Sequence, residues 1–130
     1  MGISLSDAVR KLLDDPNYAT LATVNADGSP QTSAMWVGRD GDDLLFSTVA
    51  GRLKERNIRR DPRVSVTIMA RENPEEYTEI RGTATIEGGG RELDERLSWK
   101  YDGKPAGEDA PGAVRVTVRV TPSKVTGHVS

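Results

Sequence analysis

The sequence predicts a mainly β fold: an antiparallel barrel of six strands with helices at its periphery. Three observations point there. Val114, Val116, Val118 and Val120 alternate with Arg115, Thr117 and Arg119, the period-two pattern of a strand with one buried face. Asp27-Gly28 and Asp40-Gly41-Asp42 are hairpin turn signals between runs rich in Thr, Val and Leu. Six such runs follow one another through hairpin-like connections, with no internal repeat and no sign of a second domain, so residues 1–130 are expected to form one unit.

Each element has its own warrant. Ser4 to Asp14 reads as a helix, with Leu5, Val9, Leu12 and Leu13 on one face, Ser4 or Ser6 as cap and Pro16 as stop. Tyr18 to Asn25 is the first strand and Gln31 to Val37, directly after Pro30, its return. Asp43 to Thr48 is the third strand. Arg52 to Arg60 is a helix that ends at Asp61-Pro62, because proline disfavours helix in the residue before it. Arg63 to Ala70 is the fourth strand, Arg71 to Glu75 a polar loop with Pro74, and Glu76 to Glu87 a long fifth strand. Gly82 inside that strand indicates a bulge or a close backbone approach. Gly88-Gly89-Gly90 reads as a hinge, Arg91 to Tyr101 as a helix with Leu93 and Leu97 on one face, and Asp102 to Gly112 as a loop. Val114 to Val120 is the sixth strand.

Composition narrows the chemistry. Apolar residues make up 35% of the 130 and charged residues 29%, which suffices for one modest core and suits a chain that completes its core by dimerising. A net charge of −2 argues against non-specific nucleic-acid binding. With no cysteine and one histidine, His128, neither a disulfide, a metal cluster nor a serine–histidine triad is expected. No run approaches the roughly 20 apolar residues of a membrane span, and no basic-then-apolar signal segment opens the chain, so a cytoplasmic location is expected.

Charge is unevenly placed. Arg52 to Arg63 holds six of the 18 basic residues and two acidic ones, a net +4 on a chain whose remainder sums to −6. A strand running through Ser47-Thr48 and Gly51 into a basic helix is a candidate phosphate receptor, since helix-start N–H groups and the helix dipole both favour an anion. Arg52 would serve as a fork and Lys54 as a point charge. A solvated helix with a Glu55–Arg59 pair accounts for the same residues. A second candidate is Gln31-Thr32-Ser33-Ala34-Met35-Trp36. Alternation puts Gln31, Ser33 and Met35 on one face and Thr32, Ala34 and Trp36 on the other, a mixture that suits a planar polar ligand or a half-exposed strand. Tyr77, Trp99 and Tyr101 are packing or stacking residues, and His128 reads as a residue of the tail. No carboxylate pair has glycosidase or metal spacing.

The order Ala19-Thr20-Leu21-Ala22-Thr23, Asp27-Gly28-Ser29-Pro30-Gln31, Phe46-Ser47-Thr48, Arg52-x-Lys54-x-x-Asn57-x-x-Arg60-Asp61-Pro62-Arg63 and Tyr77-x-x-Ile80-x-Gly82-x-Ala84 resembles the pyridoxamine-5′-phosphate-oxidase-like split β-barrel proteins. Among these it looks most like the small coenzyme F420 (deazaflavin)-dependent oxidoreductases. The resemblance implies a six-stranded antiparallel split β-barrel of the FMN-binding type and a homodimer with two cofactor sites at its interface. By similarity, Arg52 and Lys54 with Ser47 and Thr48 would hold the cofactor phosphate. Gln31, Thr32 and Ser33 would meet the ribityl chain or ring edge, Met35 and Trp36 would back the ring, and Asn57 would brace the loop. Arg56, Arg60 and Arg63 would meet the oligoglutamate tail of F420, and Tyr77 would approach from the partner. The resemblance lacks the C-terminal extension of the pyridoxamine phosphate oxidases proper, so that activity is not expected.

The implied activity is hydride transfer from the reduced deazaflavin to a small conjugated organic substrate. An FMN-dependent flavin reductase or oxidase of the same fold and a non-catalytic F420-binding or storage protein remain as alternatives. Solvent, Tyr77 and His128 are the candidate proton sources, and no catalytic residue is otherwise assigned.

Overall fold

The computed structural model describes residues 2–130. The order of elements is α1 (Asp7–Asp14), β1 (Ala19–Val24), β2 (Pro30–Met35), β3 (Gly38–Asp40), β4 (Asp43–Val49), α2 (Leu53–Arg60), β5 (Arg63–Ala70), β6 (Asn73–Glu87), α3 (Gly90–Asp102) and β7 (Arg115–Gly127). All pairings are antiparallel, in the order β2-β1-β5-β6-β7-β4-β3. The hydrogen-bonded sheet therefore has seven strands rather than six, and two ends, β2 and β3, so it is not closed on itself.

The seventh strand arises where one run was expected to continue. The return strand stops at Met35, two residues before Val37. Trp36 leaves the ladder to stack on Tyr101, with ring centroids 5.4 Å apart and planes 8° from parallel. The Val37 N–H then donates to the Tyr101 hydroxyl (3.1 Å) instead of to a neighbouring strand. Gly38–Asp40 resumes pairing, now with Leu45–Asp43 of β4.

Apolar alternation decides which side of the sheet is filled. Ala19 and Leu21, Leu44 and Phe46, Val64, Val66 and Ile68, Ile80 and Ala84, and Val118 and Val120 enclose one cluster, closed by Val9, Leu12 and Leu13 of α1 and by Ile58 of α2. On the opposite side of β4, Leu45 packs with Leu93 and Leu97 of α3, with Trp36 and Tyr101 against them. Each helix thus buries the stripe its sequence offers, the main source of helix stability in a protein. Ser6 caps α1, accepting from the Val9 N–H.

Three further differences have local causes. The expected loop Arg71 to Glu75 is a tight connection, and β6 begins at Asn73. Asn73 pairs with Ala70 and Tyr77 with Met69, so Pro74-Glu75-Glu76 stand outside that ladder, a bulge that tolerates proline. The last strand runs on to Gly127, and Val114, expected in its buried face, is exposed. Gly90 is no hinge: a Cβ there would lie 2.4 Å from the Val116 N, so the glycine lets α3 start directly against β7. At Gly82 the expected close approach is present. The β6–β7 register shifts between Arg81 and Gly82, and a Cβ at Gly82 would lie 2.2 Å from the Thr121 carbonyl oxygen. No helix of the described residues is long and apolar enough to cross a membrane.

Candidate functional site

β4 delivers the chain through Ala50-Gly51 into α2. Gly51 takes φ +96°, a conformation glycine adopts without Cβ strain. The helix then begins at Leu53, its N-cap Arg52 offering no side-chain acceptor for a cap bond. Glu55 supplies what the cap lacks. Its carboxylate is buried, accepts from the Gly51 N–H (2.7 Å) and pairs with Arg59. Those contacts, the Gly51 N–H foremost, hold the carboxyl below the usual carboxylate range against the cost of burial. The Glu55–Arg59 pair expected from the sequence is therefore present, and the same carboxylate ties the Gly51 turn to α2.

The basic segment divides. Arg59 is neutralised by Glu55, and Arg63 by Asp61 at 2.7 Å, a contact that pulls the Asp61 pKa down to about 2. Arg60 donates to the Val24 carbonyl (2.6 Å) and to Asn57 Oδ1 (3.0 Å), closing the end of β1. Arg52, Lys54 and Arg56 have no carboxylate partner among the described residues. Burial, and then the like charge of Arg52, lower the Lys54 pKa. A half-buried ammonium with only a cation beside it is a group that an anion would stabilise.

Asn57 sits on the inner side of α2, 1% exposed. Its Nδ2 donates to Thr23 Oγ1 (3.0 Å) and Asn25 Oδ1 (2.9 Å). Thr23 in turn donates to Gln31 Oε1 (2.5 Å). A continuous relay thus joins α2 to β1 and β1 to β2, and so places Gln31 and Asn57 in one corner of the fold. Ser33 lies two residues along from Gln31 on the same face of β2, opposite Leu21. Its hydroxyl is buried and has no hydrogen-bond partner among the described residues, which costs free energy unless a ligand or water satisfies it. Met35, next on that face, packs on the main core, while Thr32 is exposed on the other face. The donor set suits a phosphorylated, polyhydroxylated ligand: three cations without counter-charge, and an orphan hydroxyl on the strand tied to their helix.

Several expected residues lie elsewhere. Ser47 and Thr48 face opposite sides of β4, as period two requires. Thr48 is buried with the α2 side, whereas Ser47 donates to the Gly90 carbonyl (2.7 Å) and accepts from Arg115 Nη1 (3.3 Å) on the α3 side. Trp36 is turned onto Tyr101. Tyr77 pairs with Met69, six residues along β5 from Arg63, about 20 Å at the rise of an antiparallel strand. Its ring lies 5.2 Å from that of exposed His128, whose Nδ1 is 3.0 Å from the Glu75 carbonyl. Within one chain, Tyr77 and His128 are not gathered with the α2 corner.

Thr23 and Arg115 have roles the sequence analysis did not assign. Thr23 was visible as the last inward position of a strand otherwise lined by Ala19 and Leu21. Arg115 binds both Asp109 oxygens (2.8 and 2.9 Å) and reaches Asp94 (3.4 Å), pinning the 103–114 loop to α3 and β7. The Ala50 N–H donates to the Val114 carbonyl (2.8 Å), so the end of that loop also holds the approach to α2.

Comparison with known proteins identifies the family and the fold. An F420 reductase structure is 37% identical, with a TM-score of 0.79 over 90% of this chain and 94% of that one. A conserved hypothetical protein of Mycobacterium tuberculosis is 25% identical, with a TM-score of 0.74 over 95% and 84%. General Stress Protein 26 of Bacillus anthracis shares the fold at 20% identity, with a TM-score of 0.70 over 92% and 89%. The family model for pyridoxamine 5′-phosphate oxidase matches residues 5–128, and the chain belongs to that family.

Proposed function

We propose that this protein is a coenzyme F420-dependent oxidoreductase that reduces a small conjugated organic substrate. The observation that carries the reading is the uncompensated pair Arg52 and Lys54 at the start of α2, tied through Asn57 and Thr23 to the strand bearing Gln31 and the orphan Ser33 hydroxyl. Similarity to an F420 reductase at 37% identity supports the choice of cofactor. Lys54 and Arg52 would hold the phosphate, Ser33 and Gln31 the hydroxylated chain, and Arg56 the first carboxylates of the tail. A deazaflavin bound there would supply hydride, and the proton that completes the reduction would come from solvent, Tyr77 or His128. The protein's part is to orient the ring and exclude water.

The reading includes a homodimer. Tyr77 stands far along the sheet from Lys54 in its own chain, so only a second copy could bring it to the cofactor. FMN gains some support as a second reading. With Arg60 and Arg63 committed to Val24, Asn57 and Asp61, only Arg56 of the three tail candidates is free, and a shorter phosphorylated flavin needs no more.

Fluorescence titration of the deazaflavin with wild type and Lys54→Ala tests the site. Loss of a charge-assisted bond should weaken affinity by about 1.5–3 kcal/mol, roughly ten- to a hundredfold. Equal affinity would move the phosphate elsewhere.

A further inference from the structure

A second cationic cavity lies away from the α2 corner. It measures about 220 Å³ and is lined by Asp14 of α1, Gly38 and Arg39 of β3, and Arg96, Leu97 and Lys100 of α3. Three of these side chains are cationic and one is a carboxylate. The carboxylate is already committed, because Arg39 binds both Asp14 oxygens (2.9 and 2.6 Å) and also donates to the Gly41 carbonyl (2.7 Å). The Arg39 pairing first, against the cost of burial, and then the charges of Lys100 and Arg10 keep the Asp14 carboxyl below its ordinary range.

The other two cations have no such partner. Lys100 is half-buried, donating to the Leu13 carbonyl and to the Val37 carbonyl (2.6 Å), with its ammonium 5.0 Å from the centroid of the Tyr101 ring. No carboxylate pairs with it or with Arg96 among the described residues. The Arg96 head is seated by a missing side chain: a Cβ at Gly38 would lie 2.9 Å from its Nη2. The glycine thus lets a guanidinium lie against the β3 backbone at the cavity.

We propose that this cavity binds a small oxyanion, a phosphate or the phosphate head of a monoester, between Arg96 and Lys100. Lys100, held by two neutral carbonyls, and Arg96, exposed and without a hydrogen-bond partner among the described residues, have no carboxylate bonded to either, and a compact anion between them would complete the site. The volume suits an anion of that size and excludes a flavin. The state of Lys100 agrees with the geometry. Burial pushes its pKa down to about 8, with Arg96 and Arg39 acting in the same direction and Asp14 and Asp15 opposing. An anion beside the ammonium must raise that value.

The test is an NMR titration with inorganic phosphate, run in Lys54→Ala so that phosphate taken up at α2 does not enter, with chloride at equal ionic strength as control. The expected result is saturable movement of the Gly38 and Leu97 amides, an upward shift of the Lys100 titration, and about tenfold weaker binding in Arg96→Gln. Tighter binding of glycerol phosphate would assign the site to a monoester, and equal binding to free phosphate. The proposal is overturned if chloride moves the same amides equally, if Arg96→Gln binds as well as its parent, or if Lys100 titrates unchanged.

Discussion

Replacing Asn57 by alanine tests whether the α2 corner is held as described. The side chain is 1% exposed and makes three hydrogen bonds, two donated to Thr23 and Asn25 and one accepted from Arg60. A hydrogen bond contributes about 1 kcal/mol net. Thr23 keeps its bond to Gln31, and exposed Arg60 keeps Val24 and can recover water, so no isolated charge is left behind. Alanine regains roughly 0.5 kcal/mol of helix propensity. The expected loss is therefore about 2–3 kcal/mol, read as a lower urea midpoint at unchanged slope. Arg56→Ala on the exposed side of the same helix is the control and should move stability by less than about 0.5 kcal/mol. A loss below about 1 kcal/mol, or one equal to the control, would refute the relay as the link between α2 and the sheet.

Gly82→Ala should cost about 3 kcal/mol or more in urea unfolding, because its Cβ meets backbone at Thr121, whereas Gly88→Ala, with open space around it, should be near neutral. Stability of the apo-protein should rise between about pH 8 and 10. Lys100 releases its proton near 8 when folded and near 10.5 when unfolded, so in that window the unfolded chain binds more protons. The gain is on the order of 1–2 kcal/mol after solvent screening, and most of it should be missing in Lys100→Met. Tyr101 opposes this rise above about pH 10, where burial holds its proton longer than in the unfolded chain. Arg115→Ala should raise hydrogen exchange across residues 106–114 by releasing Asp109 and Asp94, while β1 and β5 keep their protection.

How much of this the sequence carried depends on the range of the forces involved. Period-two and period-3.6 patterns are local, so β1, β4, β5 and all three helices lay within a few residues of their expected bounds. The bulge at Gly82 was legible because a glycine inside a β-branched strand has few other uses. The break after Met35 was not, since it depends on Tyr101, 65 residues ahead of Trp36 in the chain. Pro74 argued for a loop, yet a bulge accommodates it within β6. At the candidate site, charge density pointed to α2, but composition could not say which cations already had partners. Glu55 and Asp61 neutralise two arginines, and the Val24 carbonyl occupies a third. Ser47 and Thr48 adjoin in sequence and face apart in the sheet, a separation that adjacency conceals.

The central claim is the identity of the cofactor at the α2 corner. Side-by-side equilibrium titration of the apo-protein with coenzyme F420 and with FMN, followed by fluorescence, addresses it most directly. The account predicts tighter binding of F420, and an advantage that shrinks in Arg56→Ala and for a tail-less deazaflavin. Tight FMN binding with no measurable F420 binding would contradict it.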